Sequence, residues 1–285
     1  MIRIGSRGSA LALAQTRLVA ARLGDDVSIE VIRTAGDVSD RPIAELGDGA
    51  FVRAIEDALR AGTIDAAVHS LKDLPTDEPA DLVIAAVPGR EDPRDVLITR
   101  DRRGLAGLET DAVVGTSSPR RAAFLRAVRP DARVREIRGN VDTRLRKVRD
   151  GAYDAVLVAA AGLRRLGIAF AEDEALPIEL FPPAPGQGAL AVQARATDRA
   201  LLARLAQLDD PETALAARAE RATLRAMGAS CEIPLGTYAR CVGADIRLDA
   251  ALVTVDGVRR ASAVGPDPDA IAATVARELR ESVRV

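Results

Sequence analysis

The chain has 285 residues, 48% of them hydrophobic and 29% charged, with a formal net charge of -2. That length suggests two or three domains, and without an apolar run of about 18 residues no membrane-spanning helix is expected. The near-balanced charge creates no overall positive field toward nucleic acid, so any anion site has to be local.

Residues 1–5 read as a first strand; they lack the basic region, long apolar stretch and small-residue cleavage site of a secretory signal, which makes a cytoplasmic protein the expectation. Strand-like runs follow at 29–32, 66–68, 82–87, 113–114, 134–137 and 155–159. They alternate with periodic, alanine-rich stretches at 10–23, 50–60, 119–128, 141–149 and 213–227 that predict helices. The alternation predicts an α/β fold with largely parallel sheets. Composition breaks at the Pro- and Gly-rich stretches 88–93 and 181–188, which predict two crossings and hence one domain inserted within another. Beyond Asp210-Pro211 a long helix leads to Cys231, and alternating segments at 245–255 and 258–264 precede a closing helix from about residue 269. The expected domains are therefore 1–88 with 189–207, an inserted 93–182, and a small third domain over 211–285.

Five places hold residues able to do chemistry. HSLKDLP at 69–75 gathers the only histidine, His69, with Lys72 and Asp73 directly after an apolar run. Of 40 basic residues only Lys72 and Lys147 are lysines, so an ammonium is singled out at position 72 against a strong arginine bias. The turn Gly5-Ser6-Arg7-Gly8-Ser9 joins the first strand to the first helix, where amides, hydroxyls and one guanidinium suit a carboxylate or phosphate, or simply a tight turn with an N-cap. GTSSPRR at 115–121 repeats that arrangement with Ser118 before the helix and Arg120 and Arg121 in its first turn; cations there oppose the helix macrodipole and are explained by a bound polyanion or by nearby acids. Arg138, Arg144 and Arg165 lie at further junctions; singly each suits a solvated face, and jointly they suggest a lined cleft for a ligand bearing many carboxylates or phosphates. Cys231 falls in a turn-rich loop where a thiol is accessible for covalent attachment, or is unremarkable, while Cys241 reads as a strand residue. One histidine and no cysteine pair at ligand spacing argue against a metal site.

In order along the chain, GSRGSALALAQ (5–15), HSLKDLP (69–75), REDPRD (90–95), GTSSPRR (115–121), RGNV (138–141), PGQGA (185–189) and SCEIPLG (230–236) resemble the porphobilinogen deaminase (hydroxymethylbilane synthase) family. The resemblance implies condensation of four porphobilinogen molecules with loss of ammonia on a dipyrromethane cofactor, held as a thioether on Cys231, and final hydrolysis to hydroxymethylbilane. It implies Asp73 as the catalytic carboxylate, and Arg7, Ser9, Lys72, Ser118, Arg120, Arg121, Arg138, Arg144 and Arg165 as ligands of cofactor and substrate carboxylates. It also implies a monomer of three α/β domains, the first two resembling periplasmic-binding-protein lobes and the third, a small α+β domain, carrying Cys231. The chain departs from the family at 45–53, where acids replace lysines, at 229–231, where Ala-Ser-Cys replaces Gly-Gly-Cys, and at Pro119. Two competing readings are a non-catalytic two-lobed anion-binding module and an arginine-rich nucleic-acid binder; the second is disfavoured by the 2% aromatic content, which offers little stacking surface.

Overall fold

The structure, a computed structural model, describes residues 1–34, 52–228 and 233–281. It divides into two compact units, Met1–Glu91 with Ala189–Ala214 and Asp92–Gly188 with Leu215–Val285. In chain order β1 (Ile2–Arg7) turns into α1 (Ala10–Leu23), and β2 (Val27–Ile32) follows. After α2 (Arg53–Arg60) come β3 (Ala66–Ser70), a 3-10 turn at Leu71–Asp73, and β4 (Leu82–Ala86). The second unit begins with β5 (Asp95–Thr99), β6 (Val113–Gly115) and α3 (Pro119–Val128), continues through β7 (Arg133–Arg135) and α4 (Val141–Arg149), and reaches β8 (Ala155–Ala159) and α5 (Ala160–Arg165). The chain then returns to the first unit as β9 (Leu190–Arg195) and α6 (Arg199–Leu205). It ends with α7 (Pro211–Ala226), β10 (Leu235–Val242), β11 (Asp245–Thr254), β12 (Gly257–Gly265) and α8 (Pro268–Glu281).

The first unit holds a sheet ordered β2-β1-β3-β9-β4. Its residues alternate between two apolar layers. Ile4, Ala66, Val68 and Val192 pack on one side with Val19 of α1 and Leu205 of α6, while Ala67 and Leu82 pack on the other with Ile55 and Leu59 of α2. In the second unit the sheet runs β5-β8-β6-β7, with Leu97, Val114 and Leu157 against Phe124 and Leu125 of α3, and Val96, Val156 and Val158 against Val148 of α4 and Leu163 of α5. Coverage of both faces explains why the strands read as unbroken apolar runs.

Both sheets are mixed, which corrects the expectation of largely parallel ones. β1 pairs parallel with β2 and β3, and β6 with β7 and β8, but β9 runs antiparallel to β3 and β4, and β5 antiparallel to β8. These two strands carry polar residues that hide them from a hydrophobicity scan: β5 opens on Asp95, and β9 contains Gln193, both buried.

The antiparallel sheet β10-β11-β12 has its own core, in which Leu248, Leu252 and Ile246 meet Ala219 of α7 and Ile271, Val275 and Leu279 of α8. Its opposite face supplies Ala251, Val253 and Val258 to the cluster around Phe124 and Phe181. The segment expected as a third domain is thereby packed into the second unit, as are residues 183–188, which the sequence leaves between domains. Gly236 permits the approach: a Cβ there would lie 2.5 Å from the Pro182 carbonyl oxygen, and the neighbouring Thr237 amide donates to the Pro183 carbonyl at 2.8 Å.

The rings of Phe124 and Phe181 are fully buried with centroids 5.7 Å apart. Replacing Phe124 by Ala is expected to cost about 3–5 kcal/mol. A urea titration followed by circular dichroism checks this, and an unchanged midpoint would contradict the packing.

Candidate functional site

In the first unit the chemistry lies where parallel strands end. Because β1 and β3 are parallel neighbours in register (Ile4 with Ala66, Gly5 with Ala67), Arg7 to Ser9 and Lys72-Asp73 leave the same edge of the sheet. Such carboxyl ends are where ligands of open α/β sheets bind. The 3-10 turn after β3 is pinned by Leu71 and Leu74, both buried, and by the Leu71 amide, which donates to the Ala189 carbonyl at 3.0 Å. With those two side chains turned inward, Lys72 is left half-buried and Asp73 exposed. Ser9 caps α1, its hydroxyl oxygen accepting from the Ala12 amide at 3.2 Å. Gln15, one turn further along α1, donates to the Ser70 hydroxyl at 3.0 Å and so ties the helix to the end of β3.

His69 stands apart from this set. It is 6% exposed within β3, and burial pushes its pKa down to about 4; Gln193 acts in the opposite direction, and the charge of Arg7 lowers it further. A neutral, enclosed imidazole is a poor proton donor at physiological pH, so the only histidine of the motif is a packing residue.

The second unit repeats the arrangement. β6, β7 and β8 run parallel, and their carboxyl ends lead to Ser117-Ser118, to Arg138, and to α5 with Arg165. Ser118 caps α3 by accepting from the Arg121 amide at 3.4 Å, Pro119 takes the first helical position, and Ser117 donates to the Ile137 carbonyl at 2.5 Å. Arg138 donates to Glu136 at 3.1 Å, Arg144 Nε to the Gly139 carbonyl at 2.8 Å, and Arg165 Nη2 to the Gly188 carbonyl at 2.6 Å. Lys147 donates to the Arg138 carbonyl at 3.2 Å.

Arg120 and Arg121 turn inward. Both are buried and share the fully buried Asp95, whose Oδ2 accepts from Arg120 at 2.6 Å and whose Oδ1 accepts twice from Arg121, at 2.9 and 2.7 Å. Burial alone would raise the Asp95 pKa, but the charges of Arg120 and Arg121 outweigh it and hold the carboxyl well below the usual range. Arg144 is driven down to about 10, first by burial and then by the charge of Arg121. Two guanidiniums thus share a single carboxylate, and the half-buried Arg144 lies near enough to Arg121 to feel its charge, a set of donors whose chemistry fits a ligand rich in carboxylates.

The structure therefore brings Arg7, Ser9, Lys72 and Asp73 to one sheet edge, and Ser118, Arg138 and Arg165 to another, with Arg121 and Arg144 close by and Arg120 pointing into the unit. Cys231 and residues 45–51 of the acid-bearing loop lie outside the described residues. Asp95 and Gln187, which donates to Asp95 at 3.0 Å, lie within REDPRD and PGQGA and carry no role by sequence reasoning; the signal that points to Asp95 is an acid opening an otherwise apolar strand. A cavity of about 650 Å³ elsewhere in this unit, bordered by Tyr238, Arg247 and Arg260, includes none of the predicted residues.

The depressed pKa of His69 sets a pH dependence. An unfolded histidine titrates near 6.5 and the folded one at about 4, so the unfolded chain takes up the proton first, and stability is lost as pH falls through that interval. The loss amounts to on the order of 3 kcal/mol once both states are protonated. Thermal melts between pH 7 and 4 should show this decline, and His69→Gln should flatten it; equal slopes in both proteins would contradict the burial argument.

Family models match almost the whole chain: "Porphobilinogen deaminase, dipyromethane cofactor binding domain" over residues 2–203 and "Porphobilinogen deaminase, C-terminal domain" over 214–281. Curated relatives named porphobilinogen deaminase include that of Roseiflexus castenholzii, 46% identical over 99% of this chain and 96% of the relative. Another, from Mycobacterium tuberculosis, is 46% identical over 93% of this chain and 90% of its own length. Among solved structures, an arginine-specific periplasmic binding protein of Salmonella typhimurium aligns with 75% of this chain and 93% of its own, at 14% identity and a TM-score of 0.40.

Proposed function

The chain belongs to the porphobilinogen deaminase family, and from that membership we propose that Asp73 is the carboxylate of its reaction centre and that the guanidiniums described above hold the ligand's carboxylates. The activity is that of a hydroxymethylbilane synthase: four porphobilinogen molecules are joined head to tail with loss of ammonia, and the linear tetrapyrrole is freed by hydrolysis. The dipyrromethane cofactor supplies, when bound, the covalent primer to which substrate units are added. We assign its thioether to Cys231, since a thiolate is the soft nucleophile such a bond needs.

The chain's own residues divide the work by chemistry. Asp73, exposed on a turn that two buried leucines hold still, accepts the hydrogen bond of a substrate pyrrole N-H and offsets the positive charge that develops on that nitrogen as ammonia leaves. The same carboxylate then takes up the proton released when the new carbon-carbon bond restores the aromatic ring. Arg7, Ser9 and Lys72 on that edge, and Ser118, Arg121, Arg138, Arg144 and Arg165 in the second unit, bind acetate and propionate groups; Arg120 contributes from inside by sharing Asp95. The observation that carries this reading is the gathering of Ser118, Arg121, Arg138, Arg144 and Arg165 where the parallel strands β6, β7 and β8 of the second unit end. We further propose, on family resemblance, a cytoplasmic monomer with porphobilinogen as its substrate.

Asp73→Asn is expected to lower kcat by about a hundredfold or more, while KM changes little and the purified chain keeps its primer mass. Turnover within about threefold of wild type would remove Asp73 from the reaction centre. Arg144→Ala is expected to raise KM about tenfold with a smaller change in kcat, because it removes a binding contact common to ground and transition states; initial rates across a porphobilinogen series measure both, and an unchanged KM would exclude the contact.

A further inference from the structure

We propose that Asp95 is a positioning residue that sends two adjacent arginines to different tasks, fixing Arg120 as an internal bolt and aiming Arg121 at the anionic ligand. The inference rests on the function proposed above and deepens it, because Asp95 itself touches no ligand in that reading.

Arg120 and Arg121 stand side by side in the first turn of α3, about 100° apart around the helix axis. Left alone, both guanidiniums would be repelled by the positive end of the helix and by each other. Asp95 resolves this with its two oxygens: Oδ2 receives Arg120 Nη2, and Oδ1 receives Nε and Nη2 of Arg121. The other arm of Arg120 ends on the Pro182 carbonyl at 2.6 Å, with the Phe181 ring 5.8 Å from its guanidinium carbon. Arg120 is 4% exposed and Arg121 7%, and the Arg120 Nε has no acceptor among the described residues, so what separates the two is the shape of their grip: Arg120 spans from Asp95 to Pro182, whereas Arg121 forks onto one oxygen.

Arg121 is held differently. Beyond the fork on Asp95 it donates Nη1 to the Leu157 carbonyl at 3.1 Å. Two of its five N-H bonds then have no protein acceptor among the described residues. A guanidinium gripped along one edge keeps the other edge in one direction, which suits recognition of a carboxylate whose partner on the protein side is Arg144. Gln187 completes the clamp, donating to the same Oδ1 at 3.0 Å and to the Pro93 carbonyl at 2.7 Å.

A purely architectural Asp95 would stabilise the unit without acting through Arg121, and a double-mutant cycle separates the two roles. Wild type, Asp95→Asn, Arg121→Ala and the double variant are compared for porphobilinogen consumption and, by intact mass, for the fraction of chains carrying the primer. Asp95→Asn is expected to raise KM about tenfold and lower primer loading in an otherwise wild-type chain, yet to add less than about threefold in the Arg121→Ala background. Losses that multiply in the double variant, or an Asp95→Asn protein with unchanged KM and loading, would overturn the role. Should Asp95→Asn fail to fold, Gln187→Ala loosens the same oxygen, and a KM rise of about threefold that vanishes in the Arg121→Ala background is the expected result; independence from Arg121 overturns the proposal. A wild-type chain that neither carries pyrrole mass nor consumes porphobilinogen sinks the proposed function itself, whereas an active wild type with multiplicative losses sinks only Asp95.

Discussion

A carboxylate withdrawn from water at Asp95 organises much of the second unit. Burying that charge is costly, and it is tolerated because two guanidiniums and the Gln187 amide fill its lone pairs at 2.6–3.0 Å. Through those partners the start of β5, the first turn of α3, the Leu157 carbonyl of β8 and the segment around Pro182 are joined in one hydrogen-bonded network. Removing Asp95 strands two guanidinium charges in the interior, so the network is rigid for the same reason that it is expensive. Rigidity there is useful: it holds the Arg121 guanidinium, whose charge reaches Arg144, at a fixed place.

Each unit reaches its chemistry by the same local device. A strand whose neighbours are parallel ends in a short polar turn, a serine caps the helix that follows, and the first turn of that helix contains no acid. The amide dipoles of α1 and α3 are therefore not neutralised from within, which favours anions near Ser9 and Ser118. The first unit adds to this edge an exposed carboxylate on a pinned turn, and the second adds guanidiniums. One arrangement is suited to proton and charge management, the other to holding carboxylates.

Much of this was legible in the sequence where local signals are strong. The helices at 10–23, 119–128 and 141–149 have the predicted bounds because serine caps, Pro119 and the glycine before Asn140 punctuate them. Asp73 and Lys72 follow a strand as expected, and Cys241 lies in β10. The helices α5 and α6, with six and seven residues, are too short to show a period, and the antiparallel strands β5 and β9 carry the polar residues Asp95 and Gln193. Long-range facts were beyond reach for a physical reason: nothing local distinguishes Arg120 from Arg121, since their common partner lies 25 residues away from one and 26 from the other. His69 looked reactive by composition, and only its enclosure in the sheet shows that it stays neutral.

The claim on which the account turns is that this chain builds its product on a primer bonded to its own cysteine. The most direct measurement is the intact mass of the purified protein before and after addition of porphobilinogen, with peptide mapping of any adduct. The account predicts an excess of two condensed pyrrole units on the peptide containing Cys231, followed by steps of one pyrrole unit as substrate is supplied. A polypeptide of bare mass that stays bare in the presence of porphobilinogen, or an adduct mapped to any other residue, would contradict it.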